Sequence, residues 1–251
     1  IIVNGKVIKM NKHVLFTITL LLSANVFINS ADLASAGEGG EPEGKIFAPS
    51  DGESEDQTFF QPELLEEIVA EKCSQLLFQA TQENDIEKVG KLLVCLIVEQ
   101  FINIQDQQGG TALMFASFYG YTDVARLLIG AGANTDIQDE QGWTALMLAS
   151  QNGHTGVVRL LIESVVNKGI QNQEGFTALM IASQNGHTGV VRLLIESGAN
   201  KDMQNQEGLT ALMFASEKGH TDVANLLIQN GANKDGRGYG LGFTALMIAS
   251  Q

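Results

Sequence analysis

Histidines are the first candidates for chemistry in this chain, because imidazole is a common acid, base and metal ligand near neutral pH. Three of the four, His154, His187 and His220, recur at intervals of 33 residues, and each follows a glycine. The fourth, His13, lies in an N-terminal apolar segment. Because their spacing repeats along the chain, we interpret the three as positions fixed by a repeated structural unit and not as metal ligands.

The serines and the glycine-rich segment are the other candidates for chemistry. The serines recur at the same interval, and the glycine-rich segment does not match a known binding motif. A serine nucleophile needs a general base, and no candidate base near the serines of the recurring dipeptide "AS" stands outside the repeat pattern. These serines are Ser117, Ser150, Ser183, Ser216 and Ser250. The segment "GRGYGLG", which starts at Gly236, fits neither the dinucleotide nor the P-loop glycine spacing. The sequence therefore predicts no catalytic residue, no cofactor and no metal site.

Cys73 and Cys95 are the only cysteines. A disulfide between them is permitted if the protein is exported to an oxidising compartment. Two buried free thiols are the alternative, and the sequence favours it.

The 33-residue interval is the strongest indication of fold in the sequence. The tetrapeptide "TALM" recurs at spacings of 33, 33, 33 and 34, beginning at Thr111, Thr144, Thr177, Thr210 and Thr244. Residues 150–164 and 183–197 are identical in sequence. A fixed period of this size is typical of stacked-repeat proteins.

Each repeat predicts two short helices and an extended loop. In the third copy, Thr177 is suited to cap the first helix, which ends near Gly186. Apolar residues between Val190 and Ile195 indicate the second helix. Gly198 follows it, at the position where a residue in the left-handed conformation commonly ends a helix. Helices this short are unstable alone in water, so the units must stack and bury their stripes against neighbours.

The pattern G-x-TALM-x-AS-x-x-GH-T-x-VV-x-LLI-x-x-GAN resembles the ankyrin repeat family, and the resemblance covers residues 105–251. It implies an all-α solenoid of helix-turn-helix units with hairpin loops, and a surface that binds proteins. Ala178 and Met180 replace the proline and histidine of the family's Thr-Pro-Leu-His element, so we expect methionine packing instead of that histidine's hydrogen bonds. Val165 and Val166 replace a Gly-Ala pair, which predicts a distorted loop.

Both ends of the repeat array are atypical. Residues 62–104 are predicted to contain a capping helix, Pro62 to Lys72, and a degenerate repeat whose helical part runs from Leu76 to Leu93. Residues 105–251 hold the remaining repeats, and the last has only its first helix before Gln251. We expect the sequence to be a fragment of a longer one; a stack that ends open is the alternative.

Residues 1–36 are predicted to be a signal peptide. Lysines precede an apolar run from Val14 to Ile28, and Ala34, Ser35 and Ala36 follow it. Met10 would be the initiator and Gly37 the first mature residue. The protein would then be secreted or periplasmic, with no stable membrane span after cleavage. The alternatives are an uncleaved segment that anchors it in a membrane, or a buried helix.

Acidic residues are concentrated after this segment. Residues 37–72 carry a net charge of −9 out of −14 for the whole chain. Residues 37–61 are predicted to be a flexible acidic linker, interpreted as a solubilising spacer. The alternatives are that it mimics nucleic acid or binds a basic partner. Residues 73–251 carry about −7, which argues against sequence-independent binding of nucleic acid.

The resemblance also implies where a partner would bind, namely at the loop tips and on the exposed side of each first helix. The corresponding positions are Gln107, Gln108, Phe118 and Tyr119 in the first full unit; Glu140, Gln141, Trp143, Gln151 and Asn152 in the second; Gln173, Glu174, Phe176, Gln184 and Asn185 in the third; and Gln206, Glu207, Leu209, Glu217 and Lys218 in the fourth. Stacking would align one column of them as an apolar ridge, formed by Trp143, Phe176, Leu209 and Phe243. The alternative is that these four side chains pack on neighbouring loops.

The function predicted from these features is an exported, monomeric scaffold that binds a protein partner and performs no catalysis. An enzyme whose catalytic domain lies beyond Gln251, with this solenoid as its recognition arm, is one alternative. An inhibitor that occludes a target enzyme is another.

Overall fold

The structure, a computed structural model, describes residues 2–3, 6–7, 75–95 and 102–235. The chain divides into two units, Ile1–Lys72 and Cys73–Gln251. In the first, β1 (Ile2–Val3) pairs antiparallel with β2 (Lys6–Val7), a pairing that the sequence did not predict. The predicted signal peptide and linker, the capping helix and the truncated last repeat lie outside the described ranges. So do Cys73 and the side chain of Cys95, and their pairing stays a prediction.

The second unit is a stack of paired helices. Residues 75–82 are helical. The helices after them are α1 (Ile86–Cys95), α2 (Ala112–Tyr119), α3 (Thr122–Gly130), α4 (Ala145–Gln151), α5 (Thr155–Glu163), α6 (Ala178–Gln184), α7 (Thr188–Glu196), α8 (Ala211–Glu217) and α9 (Thr221–Gln229). The first helices of the units, α2, α4, α6 and α8, pack on one another in chain order, and the second helices, α1, α3, α5, α7 and α9, form a parallel layer. This arrangement confirms the predicted helical solenoid over the described residues 75–95 and 102–235.

A threonine begins each first helix, as predicted. Thr177 has extended backbone angles, and its hydroxyl oxygen accepts a hydrogen bond from the Met180 amide at 3.3 Å. Thr111, Thr144 and Thr210 make the same contact at 3.2–3.4 Å. A hydroxyl in this position satisfies an amide that has no partner within the helix, which is worth about 1 kcal/mol.

Apolar stripes from both layers form one continuous core. In α7, Val190, Val191 and Leu194 are at most 1% exposed. Leu193 and Ile195 of the same helix are half-buried against that core. The methionines that replace the family's histidine are also buried, which confirms the expected packing; they are Met114, Met147, Met180 and Met213.

The degenerate repeat before the first full unit is helical where the sequence predicts it. Leu77, Ala80 and Val89 are buried. Asp85 accepts the backbone amide of Lys88 at 2.9 Å at the start of α1, and this hydrogen bond lowers the pKa of the Asp85 carboxyl. The Lys88 ammonium lies 2.9 Å from the Glu83 carboxylate, and their hydrogen bond lowers the pKa of Glu83.

The loop after α5 departs from its counterparts. After α3, α7 and α9 a left-handed glycine is followed by an alanine whose amide bonds back to the helix, as from Ala199 to Leu194 at 2.9 Å. In the α5 loop Val165 takes the left-handed conformation, with φ of 65°, and Val166 makes no such bond to any described residue. The predicted distortion is confirmed.

A second bond is missing from the same loop. The side chains of Asp136 and Asp202 each accept the backbone amide 31 residues further on, that of Asn167 at 3.0 Å and that of Asn233 at 2.8 Å. Gly169 occupies the position that corresponds to Asp136 and Asp202, and it has no side chain that could accept the backbone amide of Asn200. The loop therefore lacks both its own closing bond and its link to the next unit.

We expect Val165→Gly to raise the free energy of unfolding by up to about 1–2 kcal/mol, because glycine adopts a left-handed conformation without steric cost. The Val165 side chain is 87% exposed, so little packing is lost. Gly198→Val, at the same position of the next unit, is the matched control and should destabilise by a similar amount. Urea denaturation measures both, and a less stable Val165→Gly protein would contradict the assignment of strain.

Candidate partner-binding surface

The loops between units are hairpins closed by an Asp or Asn side chain. The Oδ1 atom of Asp139 accepts the backbone amides of Gln141 at 2.9 Å and Trp143 at 2.7 Å. Asn172 makes the equivalent bonds with Glu174 at 3.0 Å and Phe176 at 2.8 Å. Asp106 and Asn205 close the first and fourth hairpins in the same way. Each hairpin tip is therefore held in a fixed turn.

Glutamine side chains link successive hairpins. The Nε2 atom of Gln138 donates to the Gly142 carbonyl at 2.8 Å and to the Gln171 carbonyl, 33 residues further along, at 3.1 Å. Gln105 and Gln171 repeat this contact in the neighbouring units. A backbone bond from Gln173 to the Gln141 carbonyl, 3.1 Å long, joins the tips directly. The tips therefore form one ordered row.

The recurring histidines link the start of each second helix to the end of the first helix in the preceding unit. The Nε2 atom of His187 lies 2.9 Å from the Gln151 carbonyl of the preceding unit, and His154 and His220 make the same contact with Phe118 and Gln184. A carbonyl accepts, so Nε2 carries the proton. These bonds support the structural interpretation. Their partner, 36 residues earlier, was missed at the sequence level because no local pattern marks a carbonyl as an acceptor.

Three of the candidate serine nucleophiles are buried; Ser216 is half-buried, and Ser250 lies outside the described residues. Ser117, Ser150 and Ser183 are 0% exposed, and their hydroxyl oxygens have no hydrogen-bond partner in the described structure. Ser216 instead donates to the Leu212 carbonyl at 2.8 Å. Within the described ranges, no three residues among His, Cys, Asp and Glu gather as a metal site.

The predicted contact residues fall into three groups by exposure. Exposed are Gln107, Gln108, Phe118, Tyr119, Glu140, Gln141, Asn152, Gln173, Glu174, Asn185, Gln206, Glu207, Glu217 and Lys218. Half-buried are Trp143, Gln151, Phe176 and Gln184. Leu209 is 1% exposed, so its inclusion in a contact surface is wrong.

The three described residues of the predicted apolar ridge therefore do not form an exposed ridge. Trp143 and Phe176 pack against the core, and the Phe176 ring lies 4.9 Å from the ring of Phe214 in the next unit. The hairpin holds these residues in place, because Leu209 bonds back to Asn205 through both its amide and its carbonyl. The fourth residue of the column, Phe243, lies outside the described residues. The packing of the three described residues agrees with the alternative, in which the column packs on neighbouring loops.

An exposed aromatic cluster lies instead at the end of α2. Phe118 is 40% and Tyr119 is 50% exposed. The Tyr119 ring lies 4.7 Å from Phe115, 4.9 Å from Phe118 and 5.6 Å from Tyr121. Phe118 and Tyr119 were predicted from the sequence; Phe115 was missed, although it stands four residues before Tyr119 on the same helix.

Charge is distributed unequally between the two layers. The hairpins and first helices of the four full units carry Asp106, Asp139, Glu140, Glu174, Glu207 and Glu217, with Lys218 as their one basic residue in this part of the chain. Lys218 lies 3.2 Å from Glu217. The arginines are exposed on the second helices instead, at Arg126, Arg159 and Arg192. The hairpin and first-helix face is therefore acidic.

These features define the class of protein: a helical tandem-repeat scaffold with an ordered row of loop tips. The family model described as "Ankyrin repeats (3 copies)" matches overlapping segments, 61–139, 77–172, 127–205, 164–238 and 197–251. The chain belongs to the ankyrin repeat family, whose repeats are scaffolds for protein–protein interaction. No curated protein matches the chain. None of the helices described here is long and apolar enough to cross a membrane.

Proposed function

We propose that this protein is an exported, monomeric ankyrin-repeat scaffold that binds a protein partner through its hairpin tips and first helices and performs no catalysis. The main observation in support of this proposal is the exposed aromatic cluster on the acidic face. Exposed aromatic residues are enriched at protein interfaces. The hydrogen-bonded hairpins support it further, because an ordered surface loses less conformational entropy on binding.

Partner capture by matched variants tests the binding face. The full chain is immobilised, a partner is isolated from the native host and identified, and its affinity is then measured with purified protein. Phe118→Ser with Tyr119→Ser should weaken binding at least about tenfold, since two aromatic anchors are lost. Arg159→Ser with Arg192→Ser, on the second helices, should leave binding unchanged.

Thermal melts of both double variants separate binding from folding. The proposal predicts only a small decrease in the melting temperature of the Phe118 and Tyr119 variant, because both side chains are largely exposed and contact mainly each other and two more aromatic rings. Equal loss of affinity in the two double variants would place the partner elsewhere.

Export is tested separately, from the N-terminal pattern. We expect the mature chain to begin at or near Gly37, because a basic start, an apolar centre and the Ala34-Ser35-Ala36 site precede it. N-terminal sequencing of protein recovered from its host measures this. An intact Met10 on a soluble cytosolic species would rule export out, and an intact Met10 in the membrane fraction would support the anchored alternative.

A further inference from the structure

A cavity of about 200 Å³ opens beside the aromatic cluster. Its walls include Phe78, Phe115, Phe118 and Tyr119. Two carboxylates, Asp106 and Asp139, also line it. Aromatic side chains next to carboxylates can bind a cation, which is attracted by the ring quadrupole and by the negative charge.

The hairpins that contain Asp106 and Asp139 do not need the negative charge of these side chains in order to form. The Oδ1 atom of each closes its turn, and the Oδ2 atom has no hydrogen bond or ion pair with any described residue. Asn172 and Asn205 close the third and fourth hairpins with the same two bonds and no charge. A charged residue therefore stands at this position only in the two hairpins that border the cavity, among the four described.

From this geometry we infer that the cavity binds an arginine side chain from a basic segment of the protein partner; the inference rests on the proposed function. A guanidinium group is planar, so it stacks on aromatic rings while its N–H groups donate to carboxylates in a fixed geometry. The surrounding face favours a basic segment, because Glu140 and Glu174 are exposed on the neighbouring tips.

The test uses a fluorescein-labelled peptide of alternating serine and arginine, with fluorescence anisotropy at low ionic strength. The full chain should bind this peptide, and a peptide with citrulline, the uncharged isostere of arginine, should bind at least about tenfold more weakly. Equal binding of the two peptides, or no binding of the arginine peptide, would overturn the inference.

Paired variants separate the cavity from the general negative charge of the protein. Asp106→Asn with Asp139→Asn should weaken arginine-peptide binding about tenfold without a loss of fold, because asparagine already closes two hairpins of this chain. Glu163→Gln with Glu196→Gln removes two exposed charges from the second helices, away from the proposed binding face, and should change affinity less than about twofold. Equal weakening by the two pairs would reduce the effect to general electrostatics and overturn the inference.

The same variants distinguish this inference from the proposed function. A partner that is lost with the Phe118 and Tyr119 variant, but binds the Asp106 and Asp139 variant normally, would refute the arginine site and leave the scaffold in place. A partner insensitive to both would refute the proposed face itself.

Discussion

Gly153→Ala is expected to lower the free energy of unfolding by about 2–3 kcal/mol. Gly153 has φ of 72°, a conformation that costs an alanine about 1–2 kcal/mol. A β-carbon built there would lie 2.8 Å from the Nδ1 atom of His187. The ring would have to move, and its bond to the Gln151 carbonyl, worth about 1 kcal/mol, would be strained or lost.

The chain provides a control for the backbone part of this cost. Gly219 has the same φ of 72°, and no described atom lies within 4 Å of the place where its β-carbon would be. Gly219→Ala should therefore cost only the left-handed strain, about 1–2 kcal/mol. Urea denaturation measures both variants. If the two substitutions destabilised the protein equally, contact with the histidine would carry no part of the effect.

The second large effect is expected in the core. Leu194→Ala should lower the free energy of unfolding by about 2–5 kcal/mol, since Leu194 is 0% exposed and its removal leaves a cavity between layers of tightly packed helices. Leu161 is its counterpart in the identical segment of the preceding unit and is also 0% exposed. Leu161→Ala should therefore cost a similar amount.

Leu193→Ala is the matched control for position on the helix. Leu193 is half-buried, so its truncation removes less buried apolar area and should cost clearly less than Leu194→Ala. Denaturant melts of the three variants decide the matter. A Leu193→Ala protein as unstable as Leu194→Ala would mean that the stripe is not oriented as described.

The parts of the fold that depend on local chemistry could be predicted from the sequence. Thr177 caps α6 because its hydroxyl reaches an amide three residues away, and a repeat period fixes which faces must stack. The strain at Val165 was predictable for the same reason, since its conformation follows from the aligned glycines of the other units.

The candidate site depends on contacts between units, and these were harder to predict. Whether Leu209 faces solvent is decided by how its hairpin packs on the core, which no feature within one repeat reveals. Asp106 and Asp139 were overlooked because aspartate and asparagine close such turns equally well. Their spare carboxylate oxygens become informative only when Tyr119 is placed beside them.

The loop around Val165 and Gly169 has a consequence for the mechanics of the stack. The second and third units are joined by glutamine and histidine bonds, as at the other joints, but not by a side-chain bond between the loops that follow their second helices. The second helices still pack together at this joint, but the missing bond between the loops should make it bend more easily than its neighbours. Thermal bending of the repeat array should therefore concentrate at this joint. The first two full units, with the aromatic cavity, would then tilt together relative to the third and fourth.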